Sequence, residues 1–316
     1  MQKILKLLLA ALWLISLPLF AQNENAGSTG FESLKLLFNA RVNAMGGAVY
    51  GIPENPDALD YNPAAILNTP SKSVSSTFID HLVGSGGGSI AYIYPHHRYI
   101  AWGAGLRYWN SGEMERTQIS STGELIETGE NFGAHSIIAS VSHARFISPA
   151  VDLGATAKFI FDTIDAKSAS AALIDLGILH HTANERIKVG VNIRNIGLQT
   201  SYYTDSKVKE KLPFTYGAGL GIQMKDNILG AIDIGKCEGE NIMLKLGLEY
   251  ELTPAFILRG GVRSNAADYN MDGPLAYTSG LSLGLGWKIK DFGLDYAVAS
   301  YGDLGITNQL TLRYNH

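Results

Sequence analysis

The sequence contains a single cysteine, Cys237, and after residue 21 it has no apolar run long enough for a membrane-spanning helix. One thiol cannot form an intramolecular disulfide, and a spanning helix needs about 20 successive apolar residues. Charged residues make up only 17% of the chain, and the formal net charge is −4. This balance gives no basic surface for nucleic acid, so we expect no nucleic-acid partner.

Glycine accounts for 35 of the 316 residues, and many segments alternate strictly between apolar residues and polar or small residues. Over residues 242–250, for example, Ile, Leu, Leu, Leu and Tyr alternate with Met, Lys, Gly and Glu. A strand with one face in lipid and the other in a lumen is apolar at every second position. A soluble sandwich also alternates, but its charged face would point outward. We therefore predict an all-β fold, a 14-stranded antiparallel transmembrane β-barrel.

Alternating segments and their turns define the predicted wall. Tight turns follow the even-numbered strands, and the long connections 110–132, 195–212 and 264–274 follow odd-numbered ones. Outer-membrane barrels have short periplasmic turns and longer extracellular loops, so this parity places the N-terminus on the periplasmic side. The predicted strands are 72–80, 88–95, 99–109, 133–147, 150–162, 168–181, 186–194, 213–224, 227–235, 241–251, 255–263, 275–288, 290–299 and 305–314.

The first 21 residues have the features of an export signal. Lys3 and Lys6 precede an apolar run that ends at Phe20, and a polar stretch follows Ala21. This order predicts a signal peptide, residues 1–21, and a location in a Gram-negative-type outer membrane. A membrane anchor is the alternative, but the run is shorter than a spanning helix requires.

Residues 22–70 do not follow the barrel pattern, and we predict that they form a helical plug in or under the barrel mouth. The barrel itself is predicted to comprise residues 71–316. Asn55-Pro56 and Asn62-Pro63 each place a capping residue before a proline at the first helical position. Gly46-Gly47 ends a run with helical spacing. That run consists of Leu34, Leu37, Phe38, Arg41 and Met45.

Three stretches resemble the PorV/PorQ family of outer-membrane proteins, which belongs to the wider FadL-like group of 14-stranded barrels. Family barrels often end on an aromatic residue, whereas here Asn315-His316 follows Tyr314. The matching stretches are the opening motif Ala40-Arg41-Val42-Asn43-Ala44-Met45-Gly46-Gly47-Ala48, the following motif Tyr61-Asn62-Pro63-Ala64-Ala65, and the closing hairpin Asp295-Tyr296-Ala297-Val298 with Tyr301-Gly302-Asp303-Leu304-Gly305-Ile306-Thr307-Asn308.

The resemblance implies an accessory component of type IX protein secretion and surface attachment. Such a barrel would sit in outer-membrane lipids and bind a secretion translocon, cargo or surface proteins through its external loops. FadL-like relatives instead pass long-chain fatty acids or other hydrophobic small molecules through the barrel wall behind a plug. This alternative stays open, although the polar inner face favours the secretion role.

The alternation assigns a set of charged residues to the inner face. Because buried charges need partners, they would either line a polar pore, lock the plug, or form a salt-bridge lattice that only stabilises the barrel. We favour the lattice. The residues are Arg107, Asp152, Lys158, Lys188, Arg194, Lys245, Glu249, Arg259, Arg263 and Asp295.

Motifs for metals, cofactors and catalysis are weak. Asp268, Asn270 and Asp272 copy the first half of a calcium loop, but Ser279 stands where the loop's glutamate should be. The glycine-rich stretch 84–89 lacks the Gly-Lys-Ser/Thr ending of a nucleotide loop. No nucleophile with a spaced base and acid stands out. We therefore predict a non-enzyme without cofactor or metal.

Overall fold

The structure, a computed structural model, describes residues 23, 27–53, 56–269, 271 and 273–316. The predicted signal peptide and Asn55 lie outside the described residues. Within these ranges the helices are all too short or too polar to cross a membrane.

Fourteen antiparallel strands form a closed barrel in which the first strand pairs with the last, so the predicted fold class is confirmed. The strands are β1 (Ser73–Asp80), β2 (Gly86–His96), β3 (Ile100–Ile119), β4 (Leu125–Ser148), β5 (Val151–Ile164), β6 (Lys167–His181), β7 (Ile187–Ser201), β8 (Thr215–Lys225), β9 (Ile228–Cys237), β10 (Ile242–Thr253), β11 (Phe256–Arg263), β12 (Leu281–Ile289), β13 (Phe292–Ser300) and β14 (Ile306–Asn315).

The wall is apolar outside. Along β1 exposure alternates residue by residue, so Phe78 faces outward while Thr77 faces the lumen. The same alternation leaves Leu106, Val141 and Leu283 on the exterior. Such a surface is stable in hydrocarbon, and a closed ladder leaves no backbone group unpaired there. The barrel is therefore of the membrane-spanning type.

The two ends of the barrel differ. Turns after the even-numbered strands are short, and we call this the short-turn end. Connections after the odd-numbered strands form the long-loop end, which includes the segment 202–214 and the stretch 264–280. As predicted, the long connections follow odd-numbered strands, although other connections at the same end, such as that between β5 and β6, are short.

Strands β3 and β4 are much longer than predicted, and 110–132 is mostly not a loop. The pairing of β3 with β2 ends at Asn110, and that of β4 with β5 ends at Ala134. Beyond these points the two strands pair only with each other, as a ribbon (111–119 and 125–133) about 30 Å long. A ribbon outside lipid needs no apolar face, so it carries no alternation for sequence analysis to detect.

Two other strand ends also differ from the prediction. Residues 275–280 do not belong to β12, because Ala276–Thr278 forms a 3-10 helix and Gly280 has a φ of 77°. Strand β7 runs on to Ser201 rather than ending at residue 194. Before residue 281 the chain is a loop, where lipid does not enforce the period of two. At Asn195 a left-handed residue lies opposite a register shift against β6, and this bulge interrupts the period.

The N-terminal residues 27–53 and 56–69, which we call the luminal segment, lie inside the barrel. They form one short α-helix, α1 (Ala40–Ala44), and 3-10 helices at Glu32–Lys35, Pro56–Asp60 and Pro63–Asn68. The Asn39 side chain caps α1, and Asn62 caps the last helix by accepting from the Ala64 N–H, as its Asn-Pro signature predicts. Helix α1 contacts β11–β14, and Pro63–Asn68 contacts β2–β6.

The Gly46-Gly47 pair of the opening motif has a steric reason. Both residues have positive φ values, 64° and 79°, which non-glycine residues rarely adopt. A Cβ at Gly46 would also lie 2.7 Å from the backbone N of Val262 in β11. The chain therefore turns at this pair while it touches the barrel wall, and only glycine fits.

Gly190 of β7 provides a test of this docking. A Cβ there would overlap the carbonyl oxygen of Tyr50, so we expect Gly190→Ala to displace the luminal segment. Trypsin should then cut after Arg41, whose guanidinium is otherwise ion-paired with Glu249 inside the barrel. Gly260→Ala is the control, because its Cβ would meet nothing closer than 3.7 Å. Equal protection of Arg41 in both variants would contradict the docking.

Candidate functional site

Two cavities lie on opposite sides of the luminal segment. The larger, about 720 Å³, is at the long-loop end, and Phe31, Leu34 and Tyr50 of the luminal segment line it. The smaller, about 580 Å³, is at the short-turn end beside Arg41. The two share no lining residue. The lumen is therefore not an open pore along the described part of the chain.

An ionic chain holds α1 against the wall. Arg41 donates two hydrogen bonds to Glu249, at 2.8 and 3.0 Å. Glu249 also accepts from Arg259, which reaches on to Asp295 at 2.6 Å. Asp295 lies two strands away on β13, and Gly286 of the intervening β12 leaves the space that Arg259 crosses. Four predicted residues thus act together, as a lock for the segment.

Backbone clamps hold the middle of the segment. Asp233 of β9 accepts hydrogen bonds from the N–H groups of Val49 and Tyr50, at 2.7 and 2.9 Å. Asn62 donates to the carbonyls of Tyr50 and Ile178, at 2.8 and 3.1 Å. Carbonyl and amide groups of an irregular segment are therefore satisfied by side chains. Tyr50 is the point where these clamps meet.

Four other predicted lumen charges contact the luminal segment, the wall or the short-turn cavity. Arg107 lies 3.5 Å from Asp60 of the luminal segment, whereas Lys158 pairs with Asp175 at 2.6 Å within the wall. Asp152 accepts from Asn68 at 3.0 Å and contacts His181. Lys188 lines the short-turn cavity. The arrangement combines the plug lock and the salt-bridge lattice.

The larger cavity has an aromatic wall. Phe38 packs edge-on against Trp109, with ring centroids 6.0 Å apart, and Trp109 against His81 at 5.3 Å. His81 meets Tyr301 at 5.2 Å, and Tyr301 meets Tyr269 at 4.8 Å. These five rings form a continuous row of edge-to-face contacts, an arrangement that aromatic rings favour. Trp109, His81, Tyr301 and Tyr269 line the cavity and offer ring surface to a ligand, whereas Phe38 packs behind Trp109.

Three cations border the same cavity. Lys245 and Arg194 lie over the ring of Tyr50, at 5.3 and 5.7 Å from its centroid. Arg263 lies over Tyr301 at 5.3 Å. Arg194 also donates to the Asp60 carbonyl and the Tyr50 hydroxyl. Sequence analysis predicted these three residues for the lumen, but not that they would gather at one cavity.

Residues that sequence analysis missed also build the site. Tyr50 and Trp109 belong to no motif, because a lone aromatic residue in a barrel is interpreted as part of an interface girdle. Tyr301 belongs to the closing hairpin motif, but nothing in that motif assigned it to the lumen. Asp233 did carry a signal, since it shares the Ala231 and Gly235 face of β9. An acid on a face of small residues could have been assigned to the lumen.

The wall beside this cavity is incomplete between β7 and β8. Their ladder ends at the pair of Arg194 and Thr215, although β7 continues to Ser201. Asn195 has a left-handed φ of 60° at this point. The segment 202–214 covers the seam, and its Pro213 carbonyl accepts from Asn195 at 2.9 Å. Backbone pairing therefore does not close the wall here.

The weak calcium motif gains no support. Asn270 and Asp272 lie outside the described residues, and Asp268 accepts a hydrogen bond from the Asn23 N–H at 2.8 Å. In the described part of the chain, His, Cys, Asp and Glu residues form no group of three that could hold a metal.

No protein-family model matches the chain, and no curated protein matches it. Solved structures do. The chain is similar to the P. putida toluene transporter TodX, with a TM-score of 0.63 and 12% identity over 88% of this chain and 98% of that one. The Ralstonia pickettii toluene transporter TbuX gives 0.61 at 14% identity, over 88% and 98%. A Pseudomonas aeruginosa FadL homologue gives 0.56 at 12%, over 88% and 98%. The chain shares the FadL-like barrel fold.

The ionic chain predicts an asymmetry between two glutamates of β10. Glu249→Gln leaves two buried guanidinium groups short of a carboxylate, so we expect a loss of about 3–5 kcal/mol in the free energy of unfolding. Glu251→Gln removes an exposed pair with Lys288 and should cost at most about 1 kcal/mol. Urea unfolding followed by tryptophan fluorescence measures both. Equal costs would contradict the lock.

His81 should titrate far below an ordinary histidine. Burial, with Arg263 nearby, lowers the pKa of His81 to about 4. A lowered folded-state pKa means that the unfolded chain takes up the proton first, so stability falls as the pH drops from about 6.5 toward 4. NMR titration of the imidazole signals, with His81→Gln for assignment, should give one midpoint near 4. A midpoint near 6.5 would contradict this burial.

Proposed function

We propose that this protein is a FadL-like outer-membrane channel for hydrophobic small molecules. The observation that carries the proposal is the 720 Å³ cavity beside the luminal segment, with its row of aromatic side chains. A path for hydrophobic molecules needs an apolar pocket of this size. The likeness in fold to proteins named as toluene transporters adds support.

The route in this proposal leads through the wall. The luminal segment, held by Glu249, Asp233 and Asn62, closes the axial path. The seam between β7 and β8 lies beside the cavity, because Arg194 and Thr215 belong both to the end of that ladder and to the cavity lining. A hydrophobic molecule would enter at the long-loop end and leave sideways into the membrane.

The secretion role implied by the PorV/PorQ resemblance is the second candidate. The ribbon of β3 and β4 favours it, because Ile119 and Leu125 form an apolar pair at its tip, and each is 75% exposed. Glu113, Glu115 and Glu127 give the same ribbon an acidic surface. A projecting ribbon with two free strand edges suits protein partners.

Uptake of a neutral aromatic dye tests the channel. The lipopolysaccharide leaflet slows such dyes, so expression of the protein in a Gram-negative host should raise the rate of 1-N-phenylnaphthylamine uptake several-fold. Ala134→Trp, which places an indole in the cavity lining, should abolish the increase. Ala139→Trp, on the exterior of the same strand, is the matched control. An unchanged rate with the wild-type chain would contradict the channel.

A further inference from the structure

Two cations stand directly opposite each other on the cavity wall. Lys245 of β10 and Arg263 of β11 are cross-strand partners, and both face the lumen. Like charges at directly opposite positions destabilise a strand pair. Among the described residues, no carboxylate oxygen lies within 4.0 Å of either cationic group, since neither residue takes part in an ion pair of that length.

The acid opposite Lys245 on its other side does not remove the excess charge. Asp233 is the partner of Lys245 on its other side, in β9. One of its oxygens is already occupied by the N–H groups of Val49 and Tyr50. Arg194 adds a third cation over the Tyr50 ring. Three cations thus line this part of the cavity, and the carboxylate beside Lys245 is one that the luminal segment already uses.

Arg263 also has unused donors. Its side chain is buried, and its Nε and Nη2 atoms have no hydrogen-bond partner. A guanidinium offers five donors in a fork that matches a carboxylate. Buried donors of this kind are normally satisfied. An anion in the cavity would satisfy them and would separate the charges of Lys245 and Arg263.

The rings beside Arg263 indicate the chemistry of the rest of the ligand, outside its anionic group. Tyr301 lies under the guanidinium and continues the aromatic row through His81 to Trp109. Flat rings stack well on such a row. An anionic group at Arg263 therefore places the rest of the molecule against aromatic side chains.

We propose that the β10–β11 wall binds the carboxylate of aromatic acids, with Arg263 and Lys245 as the two contacts. This inference rests on the proposed function and narrows its ligand to an anion, whereas the solved neighbours are named for toluene and other neutral hydrocarbons. Arg263 provides the bidentate contact, and Lys245 provides a point charge. The aromatic row holds the ring.

The experiment compares two ligands of one shape. The full chain in lipid nanodiscs is titrated with 2-naphthoate and with naphthalene-2-carboxamide, which is neutral, and heat of binding is measured. We expect the carboxylate to bind at least about tenfold more tightly. Arg263→Gln and Lys245→Met should remove this preference and leave carboxamide binding unchanged. Lys288→Met, a lysine at the other end of the barrel, is the matched control and should keep it.

Stability separates binding from a structural role. Loss of one of two opposed like charges should leave the thermal midpoint of Lys245→Met equal to or above that of the wild type. A clear fall would make Lys245 a structural residue and overturn the proposal. The comparison of the thermal midpoints of Lys245→Met and the wild type requires no ligand.

Other outcomes are equally decisive. Equal affinity for carboxylate and carboxamide would overturn the anion site and leave the hydrophobic channel intact. Tighter binding of dodecanoate than of 2-naphthoate would overturn the aromatic body of the ligand. Absence of binding by all three molecules, together with unchanged dye uptake, would contradict the proposed function itself.

Discussion

Closure of the backbone ladder is the constraint on which the rest of this structure depends. The pairs from Ser73 with Asn315 to Asp80 with Asn308 join β1 to β14, so that every strand of the wall has a partner on both sides. In hydrocarbon, each unpaired backbone group would cost several kcal/mol. Fourteen strands enclose more space than their own side chains can fill, since eight are about enough for that. A closed barrel of this size therefore needs additional residues to fill its lumen.

The luminal segment supplies that filling, and the wall is built to receive it. Carboxylates of β9 and β10 meet its backbone N–H groups and Arg41, while glycines such as Gly190 and Gly261 make room for contact. The lock on α1 is ionic, and the clamp at Tyr50 uses hydrogen bonds. The segment fills the middle of the lumen and leaves a cavity at each end, of which the long-loop one is rich in rings and cations.

The period of two in the sequence predicted the strand count, the inner face and most lumen charges, because lipid imposes it on every spanning strand. It did not predict the ribbon of β3 and β4, where no lipid acts, or the top of β7, which follows the bulge at Asn195. The period of two also does not predict which charged residues of the lumen contact each other. That Arg259 reaches Asp295 depends on Gly286 in the strand between them, and the meeting of Lys245 with Arg263 depends on register.

In the proposed function, the cavity, the docked luminal segment and the β7–β8 seam form a channel whose floor does not move. A disulfide between the luminal segment and the wall tests this most directly. In Met45→Cys/Gly247→Cys, with Cys237→Ala, the two Cβ atoms would lie 3.0 Å apart, and the new Cβ at position 247 would lie 2.7 Å from the Met45 carbonyl oxygen. A local shift must therefore open the pair toward the usual ~3.8 Å of a disulfide, and the reduced variant must first match wild-type uptake. Dye uptake that is equal before and after oxidation is the predicted result. Uptake lost on oxidation and restored by reductant would show that the segment moves, and would contradict the account.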